Sequence, residues 1–379
     1  MKILVNANPL VGLLSGVSRY VRQLYCEMER FPDVEVFYFD GYRVHRRMPD
    51  QAIPERWLKT KAKIQKLPGP VVFILMTLHG LNFERTLRRI CRANRYDVYH
   101  ETGSLPPALR EVPIVHTVYD LSLRKFRHAH RLERVWHYAL FFPRRIQYPS
   151  HFIAISDFVR REFQEVVPIP DDRFTVVHLA PSPFFSPRPK AIIDAVKVRF
   201  GISGDYLLFV GTLEPRKNLS LLMQALQRCR CRVPLVLAGW EGWGSKDWLT
   251  SIGGSELGKR IILTGYVDDE TLACLYSGAS AFVYPSVYEG FGLPILEAMA
   301  CGCPVICSHA AAMPEAAGDA AVMIDPGNSA ELADAIDRVL MDSSFRNRMI
   351  EKGFSQARMF TWRRAAEETY RVLAGVGGW

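Results

Sequence analysis

Two carboxylates and two cations, set in loops marked by glycine and proline, carry the chemistry legible in this sequence. Glu289 and Glu297 flank a turn in the stretch Y-P-S-V-Y-E-G-F-G-L-P-I-L-E that begins at Tyr284. Strand, glycine loop and helix in that order make a phosphate-facing turn of an α/β domain. Pro294 gives up an N–H that would have no intrahelical partner, so the helix is expected to begin near Leu293 or Pro294. Gly290 and Gly292 permit close backbone approach to a ligand and a positive φ without strain. Glu297 is expected in the first helical turn, where the partial positive charge favours its ionised form by roughly 0.3–1 kcal/mol. Glu289 is expected to project from the strand end into the same crevice. For either residue alone, a helix-terminal charge or a solvated loop glutamate is a sufficient account; together, around this loop, they point to recognition of hydroxyl groups.

Arg216 and Lys217 stand in G-T-L-E-P-R-K-N-L, after the apolar strand Tyr206–Val210. That is the carboxyl edge of the strand, where ligands of open parallel sheets bind. A planar guanidinium fork beside a compact ammonium suits a diphosphate, each charge-assisted hydrogen bond contributing about 1.5–3 kcal/mol. Taken alone, such a pair is more often solvated. Gly16, just ahead of a helix expected from near Val17 to Arg30, opens a second helix N-terminus to a phosphate or sugar, although many strand-to-helix loops use a glycine there. His116 lies inside the expected strand Ile114–Val118, where a lone histidine is more often a satisfied core residue than a ligand.

The elements that must position these groups form two α/β series. With 379 residues the chain suits two domains of about 180. The first series has strands at Lys2–Asn6, V-E-V-F-Y-F, Asp97–His100, Ile114–Val118 and Phe152–Ile155, the last capped by Ser156 ahead of a helix. A-P-S-P-F-F-S-P-R-P, with four prolines in ten residues from Ala180, fits neither a helix nor a central strand and marks a hinge at 181–190. The second series runs through L-V-L-A-G, I-I-L-T-G-Y, A-F-V-Y-P, P-V-I-C and A-V-M-I-D-P, with helices expected over Ser329–Leu340 and Ser355–Leu373.

Charge is uneven along the chain. Residues up to 180 carry 28 Lys+Arg against 18 Asp+Glu, whereas the remainder has 20 against 21. The basic segments Arg43–Lys66, Arg85–Arg95 and Arg124–Arg145 are interleaved with Trp57, Phe73, Phe83, Trp136, Phe141 and Phe142. Such a mixture suits an anionic membrane surface, at about 1 kcal/mol per well-placed cation, or solvated helix faces; nucleic acid is the weaker alternative. The longest apolar run, Val71–Leu78, is short of the ~20 residues that a membrane span needs. Cys229/Cys231 and Cys301/Cys303/Cys307 lack the spacing and the histidine partner of a zinc site, so most of the eight cysteines are expected to be buried thiols of a cytosolic protein. Met1 leads directly into the first strand, and no signal peptide is expected before the fold.

Taken together, E-G-F-G-L-P-I-L-E, G-T-L-E-P-R-K-N-L upstream and P-E-A-A-G-D-A-A downstream closely resemble the retaining GT-B glycosyltransferases of family GT4, bacterial polysaccharide mannosyltransferases among them. The resemblance covers nearly the whole chain and is densest over 206–326. It implies an α/β GT-B fold: two Rossmann-like domains facing a cleft, the first (1–180) for the acceptor and the second (191–354) for a nucleotide-sugar. The C-terminal helix (355–379) is expected to cross back to the first domain. By motif, Glu297 takes the ribose hydroxyls, Glu289 lies near the donor sugar, and Arg216 and Lys217 bind the diphosphate. Gly16 closes its backbone on the phosphates, while Phe291, Gly292 and Leu293 supply N–H groups.

One position departs from the family pattern. T-V-Y-D-L stands where T-x-H-D-L is usual, so Tyr119, followed by Asp120, replaces a histidine near the point of bond cleavage. His116, three residues earlier, would face the other side of its strand and does not inherit the role. Tyr119 keeps a donor, and the change makes a 6-deoxy sugar a live alternative to GDP-mannose, which is the first expectation ahead of UDP- or dTDP-sugars. No D-x-D motif occurs and no nucleophile stands out, so the resemblance implies transfer with retention, no cofactor and no metal. The acceptor is expected to be a saccharide or lipid-linked saccharide, met by a monomer or weak dimer on the cytoplasmic face of the inner membrane, with no nucleic acid bound. A nucleotide-sugar epimerase or phosphorylase would share the architecture. A dinucleotide-dependent dehydrogenase is disfavoured, since no G-x-G-x-x-G follows the first strand.

Overall fold

Short apolar strands buried along their length, such as L-V-L-A at Leu235–Ala238 and A-F-V-Y at Ala281–Tyr284, require cover on both faces, which parallel sheets obtain from flanking helices. The computed structural model describes residues 1–11, 16–49, 67–240 and 255–379. These divide into two compact units, Met1–Leu179 with Trp362–Trp379, and Ala180–Thr361.

In the first unit the strands are β1 (Lys2–Asn6), β2 (Glu35–Phe39), β3 (Val44–His45), β4 (Val98–Glu101), β5 (Ile114–Val118), β6 (His151–Ala154) and β7 (Phe174–Val176). They lie in the order β3-β2-β1-β4-β5-β6-β7, parallel except that β3 runs against β2. Helices α1 (Gly16–Met28), α2 (Gly69–Ala93), α3 (Ser122–Lys125), α4 (Leu132–Arg145) and α5 (Asp157–Val166) connect them. Ser156 caps α5 as expected, its hydroxyl accepting from the Val159 N–H at 3.1 Å.

The second unit contains α6 (Lys190–Arg199), β8 (Leu207–Val210), α7 (Leu219–Arg228), β9 (Leu235–Ala238), β10 (Ile261–Gly265), α8 (Asp269–Gly278), β11 (Ala281–Tyr284), α9 (Leu293–Ala300), β12 (Val305–Ser308), α10 (Met313–Ala317), β13 (Ala321–Ile324), α11 (Ser329–Met341) and α12 (Ser343–Arg358). Its all-parallel sheet has the order β10-β9-β8-β11-β12-β13. Chain order reverses between β1 and β4 in one sheet and between β8 and β11 in the other. Each reversal opens a crevice at the carboxyl ends of those strands, the place where such sheets bind ligands.

The segment 181–190, expected as a hinge, begins where the two units divide. Phe185 is buried with its ring against Tyr276, and the Arg188 N–H donates to Ser277 Oγ at 3.1 Å, so this stretch is packed on the second unit. The helix expected over Ser355–Leu373 is two, α12 and α13 (Trp362–Gly377). Aromatic anchoring explains the break: Phe360 packs edge-on to Phe291 in the second unit, while the buried Trp362 meets Tyr20 in the first. The last helix does return to the first unit, as expected, where it packs along α1. Six of the eight cysteines are buried thiols and none is bridged.

Candidate active site

The turn Pro215–Lys217 follows β8, and its side chains are set by two local devices. Asn218 takes the left-handed conformation at φ 56°, which asparagine tolerates, and its amide donates to the Pro326 carbonyl at 2.8 Å. The Val287 N–H donates to the Arg216 carbonyl at 3.0 Å, tying this turn to the loop after β11. Arg216 and Lys217 thereby meet Glu289, and the solvated alternative is set aside. Lys217 Nζ donates to Glu289 Oε1 and to the Tyr284 hydroxyl, both at 2.6 Å, and stands 4.7 Å from the centre of the Tyr284 ring. Arg216 Nη1 lies 3.0 Å from Glu289 Oε2 and donates to the Tyr288 carbonyl at 2.6 Å. Its Nε and Nη2 donate to Glu214 Oε1 at 3.0 and 2.6 Å.

This cluster is out of water, Lys217 and Glu289 being buried. Burial by itself pushes the Glu289 carboxyl up, but the charges of Arg216 and Lys217 outweigh it and hold the group at about 2. Burial likewise pulls Lys217 below the usual lysine range, with Glu289 opposing. Burial disfavours the charged Arg216 too, yet Glu289 and Glu214 carry it above the ordinary arginine value. Two cations facing two carboxylates balance in charge within this buried cluster.

Helix α9 begins at Leu293 as the proline placement requires, with Gly292 as its cap at φ 105°. A side chain at Gly292 would be strained by that φ and would come within 3.1 Å of Ile295 Cδ1. The Ile295 N–H is returned to the Gly292 carbonyl at 2.9 Å, and Pro294 has none, so fewer orphan donors remain at this terminus than a generic helix offers. Glu297 is not in the first turn, which holds no acid. It is the fifth residue of α9 and is buried, a turn inside the helix rather than at its N-terminal end. Phe291 is buried against Phe360.

Gly16, Tyr119 and Asp120 belong to the first unit. Gly16 is the first residue of α1, exposed and with open space where a side chain would stand. Tyr119, at the end of β5, packs edge-on to Tyr20 of α1 with centroids 5.4 Å apart, and its hydroxyl donates to the Thr102 carbonyl at 3.1 Å. Asp120 accepts the Ser122 N–H at 2.8 Å and so shapes the turn into α3. His116 is buried on the opposite face of β5, its ring 6.2 Å from Phe152, and burial pulls it down to about 4.

The sequence reading missed Glu214 and Tyr284, the partners of Arg216 and Lys217. It also missed a second carboxylate at the β1/β4 crevice. Glu101 is buried, accepting from Asn6 Nδ2 and the Gly103 N–H, both at 2.5 Å, and from the Tyr99 hydroxyl at 2.8 Å. Burial, only partly offset by these donors, raises its carboxyl to about 7. A charged residue closing a short buried strand was the signal available for it, and a tyrosine at the end of β11 the signal for Tyr284.

Residues 197–356 match the family described as glycosyl transferases group 1, and residues 14–180 match glycosyltransferase family 4. The O-antigen chain mannosyltransferase B of Escherichia coli is 33% identical over 98% of this chain and 100% of its own length. The chain belongs to glycosyltransferase family 4. A phosphatidyl-myo-inositol mannosyltransferase of Mycobacterium leprae is 32% identical over 59% of each chain. Among solved structures, sucrose-phosphate synthase from Thermosynechococcus elongatus superposes with a TM-score of 0.76 at 20% identity, covering 100% of this chain and 99% of that one. HepE from Anabaena, in complex with UDP and glucose, gives 0.72 at 17%, covering 99% and 100%. These likenesses establish the fold as GT-B with two Rossmann-like domains, and the family makes this chain a glycosyltransferase of polysaccharide synthesis.

Proposed function

We propose that this glycosyltransferase moves a mannosyl residue from GDP-mannose, with retention of configuration and without a metal, to a saccharide or lipid-linked saccharide acceptor in cell-surface polysaccharide synthesis. The observation that carries the sugar is the full-length likeness to an O-antigen chain mannosyltransferase. The reaction asks for stabilisation of the charge that grows on the departing diphosphate. In this reading Arg216 and Lys217 turn from Glu289 to the phosphates, Gly16 and the N–H groups of Phe291, Gly292 and Leu293 close on the donor, and Glu297 takes the ribose. Glu289, ionised and released from its ion pairs, then receives the sugar hydroxyls. The bond from C1 to the β-phosphate oxygen breaks as the acceptor oxygen bonds C1 on the same face, and the acceptor proton passes to that phosphate oxygen. Tyr119 and Asp120 shape the sugar's surroundings. The protein works at the cytoplasmic face of the inner membrane, held peripherally, as a monomer or weak dimer; among the described residues no helix is long and apolar enough to cross a membrane.

A donor panel tests the reading. GDP-mannose, UDP-glucose and a dTDP-6-deoxyhexose are offered with a mannan oligosaccharide, nucleotide release is followed, and the anomeric configuration of the product is read by NMR. Release from GDP-mannose alone, an α-linked product and indifference to EDTA are expected. Preference for another donor would overturn the mannosyl assignment, and loss with EDTA restored by Mn²⁺ would overturn metal independence.

A further inference from the structure

The first half of α2 carries no Asp, Glu, Lys or Arg from Leu67 to Phe83. Val72 is turned inward, while Val71, Ile74, Leu75, Leu78 and Leu81 are exposed, Ile74 and Leu78 by 56% and 58%. Steps of three and four residues place these on one face of the helix. Helix α4 repeats the pattern with Leu132, Trp136 and Leu140 at steps of four, exposed by 60%, 46% and 51%. The two helices lie side by side and run the same way. Phe73 meets His137 at 6.2 Å between ring centres, and Glu84 pairs with Arg145 at 2.7 Å; a side chain at Gly69 would stand 3.9 Å from the Trp136 ring. The stripes therefore form a continuous apolar face, unlike the scattered exposed aliphatics of an ordinary surface.

Charge identifies the occupant. At its carboxyl end each stripe continues at the same spacing into arginine, Leu81 into Arg85 and Arg89, and Leu140 into Arg144, all exposed. Arg124 and Arg127 stand exposed ahead of α4. The carboxylates of the two helices are withdrawn from this rim, Glu84 into its pair with Arg145 and Glu133 into one with Arg131. A second copy of the chain would bring arginines against arginines, and a neutral apolar partner would leave them uncompensated. An anionic lipid surface answers both parts, the stripe entering the head-group boundary and the arginines reaching lipid phosphates. The stripe from Val71 to Leu81 is about 15 Å long, suited to lying in that boundary rather than crossing it.

We infer that the joint face of α2 and α4 docks on an anionic membrane surface, with the aliphatic stripe and Trp136 inserted and Arg85, Arg89 and Arg144 as the phosphate-binding collar. The inference deepens the proposed peripheral location and rests on it.

Flotation of the full chain with vesicles of phosphatidylcholine, alone or mixed with phosphatidylglycerol, tests it. The chain should float with the mixed vesicles and stay behind with the neutral ones. Leu78→Glu combined with Leu140→Glu should lower partition at least about tenfold, since two inserted leucines are lost. Neutralising Arg85, Arg89 and Arg144 to glutamine should weaken it by about fivefold each and flatten its dependence on salt. Both variants should keep the wild-type thermal shift with GDP, which shows them folded. Unchanged flotation of the glutamate variant would overturn the inference, as would loss only on neutralising Lys59, Lys61 and Lys63, or a wild-type chain that self-associates through this face instead of binding vesicles. A chain that floats as expected but gives no thermal shift with GDP sustains the docking face while the glycosyltransfer reading fails; a shift without flotation does the reverse.

Discussion

Glu289 in the second unit and Glu101 in the first are both buried carboxylates beside the crevice where their sheet reverses its strand order, yet they are driven in opposite directions. Burial pushes both up. Glu289 faces Lys217 and Arg216, whose charges reverse the effect and leave it at about 2. Glu101 is hydrogen-bonded by neutral donors, Asn6, the Gly103 N–H and the Tyr99 hydroxyl, which with a smaller help from the Arg145 charge soften the effect and leave it at about 7. Neutral hydrogen bonds at good distance do not replace a cation in a dry site. One edge holds fixed charge suited to a diphosphate and a sugar; the other holds a carboxyl that exchanges its proton near neutrality.

Removing one member of the charged cluster is expected to have the largest effect. Lys217→Met or Glu289→Gln leaves a buried charge without its partner, so a loss of about 3–5 kcal/mol in stability is expected from denaturant unfolding. Transfer should fall at least about 100-fold as a charge-stabilising group is lost. Glu297→Ala should weaken GDP binding by about 10- to 100-fold, as expected for one charge-assisted bond, with stability less affected; calorimetric titration measures it.

Next comes the proton at Glu101. Its folded value of about 7 lies above the ordinary 4.5, so its stabilising contribution is complete below 4.5 and is lost as pH rises through 7. From pH 8 to 6.5 the Glu101 contribution should rise by about 0.8 kcal/mol, read as the difference in pH slope between the wild type and Glu101→Gln. His100 and His116, pulled by burial to about 3 and 4, act the other way, their contribution being present above 6.5 and lost as pH falls below it. Because the unfolded histidines are half protonated at pH 6.5, they offset most of the Glu101 gain in the wild type, and the comparison with Glu101→Gln is what isolates it. The smallest effect is expected at Tyr119→Phe, which removes one hydrogen bond to the Thr102 carbonyl and about 1 kcal/mol of stability. Thermal unfolding should register it with GDP affinity unchanged.

The strand series was legible because each strand is a short apolar run closed by a turn signal, and β1 and β5 fall on their expected residues. Pro294 marked the start of α9 for the same local reason. The break between α12 and α13 was not legible, since the reason for it is that Phe360 and Trp362 pack in different units. At the site, spacing identified Glu289, Arg216 and Lys217 as candidates, whereas their mutual pairing depends on Asn218 and Val287 folding one loop on the other. Glu101 escaped notice because its significance is its set of neighbours, drawn from β1 and β4. The basic segment around Lys59, Lys61 and Lys63 lies outside the described residues.

In the proposed reaction Arg216 and Lys217 leave Glu289 to hold the β-phosphate. Calorimetric titration of GDP and GMP into the wild-type chain and into Lys217→Met tests it most directly. A strong preference for GDP in the wild type is expected to fall by about 10- to 100-fold in the variant, with GMP binding little changed. An equal preference for GDP in both proteins would contradict it.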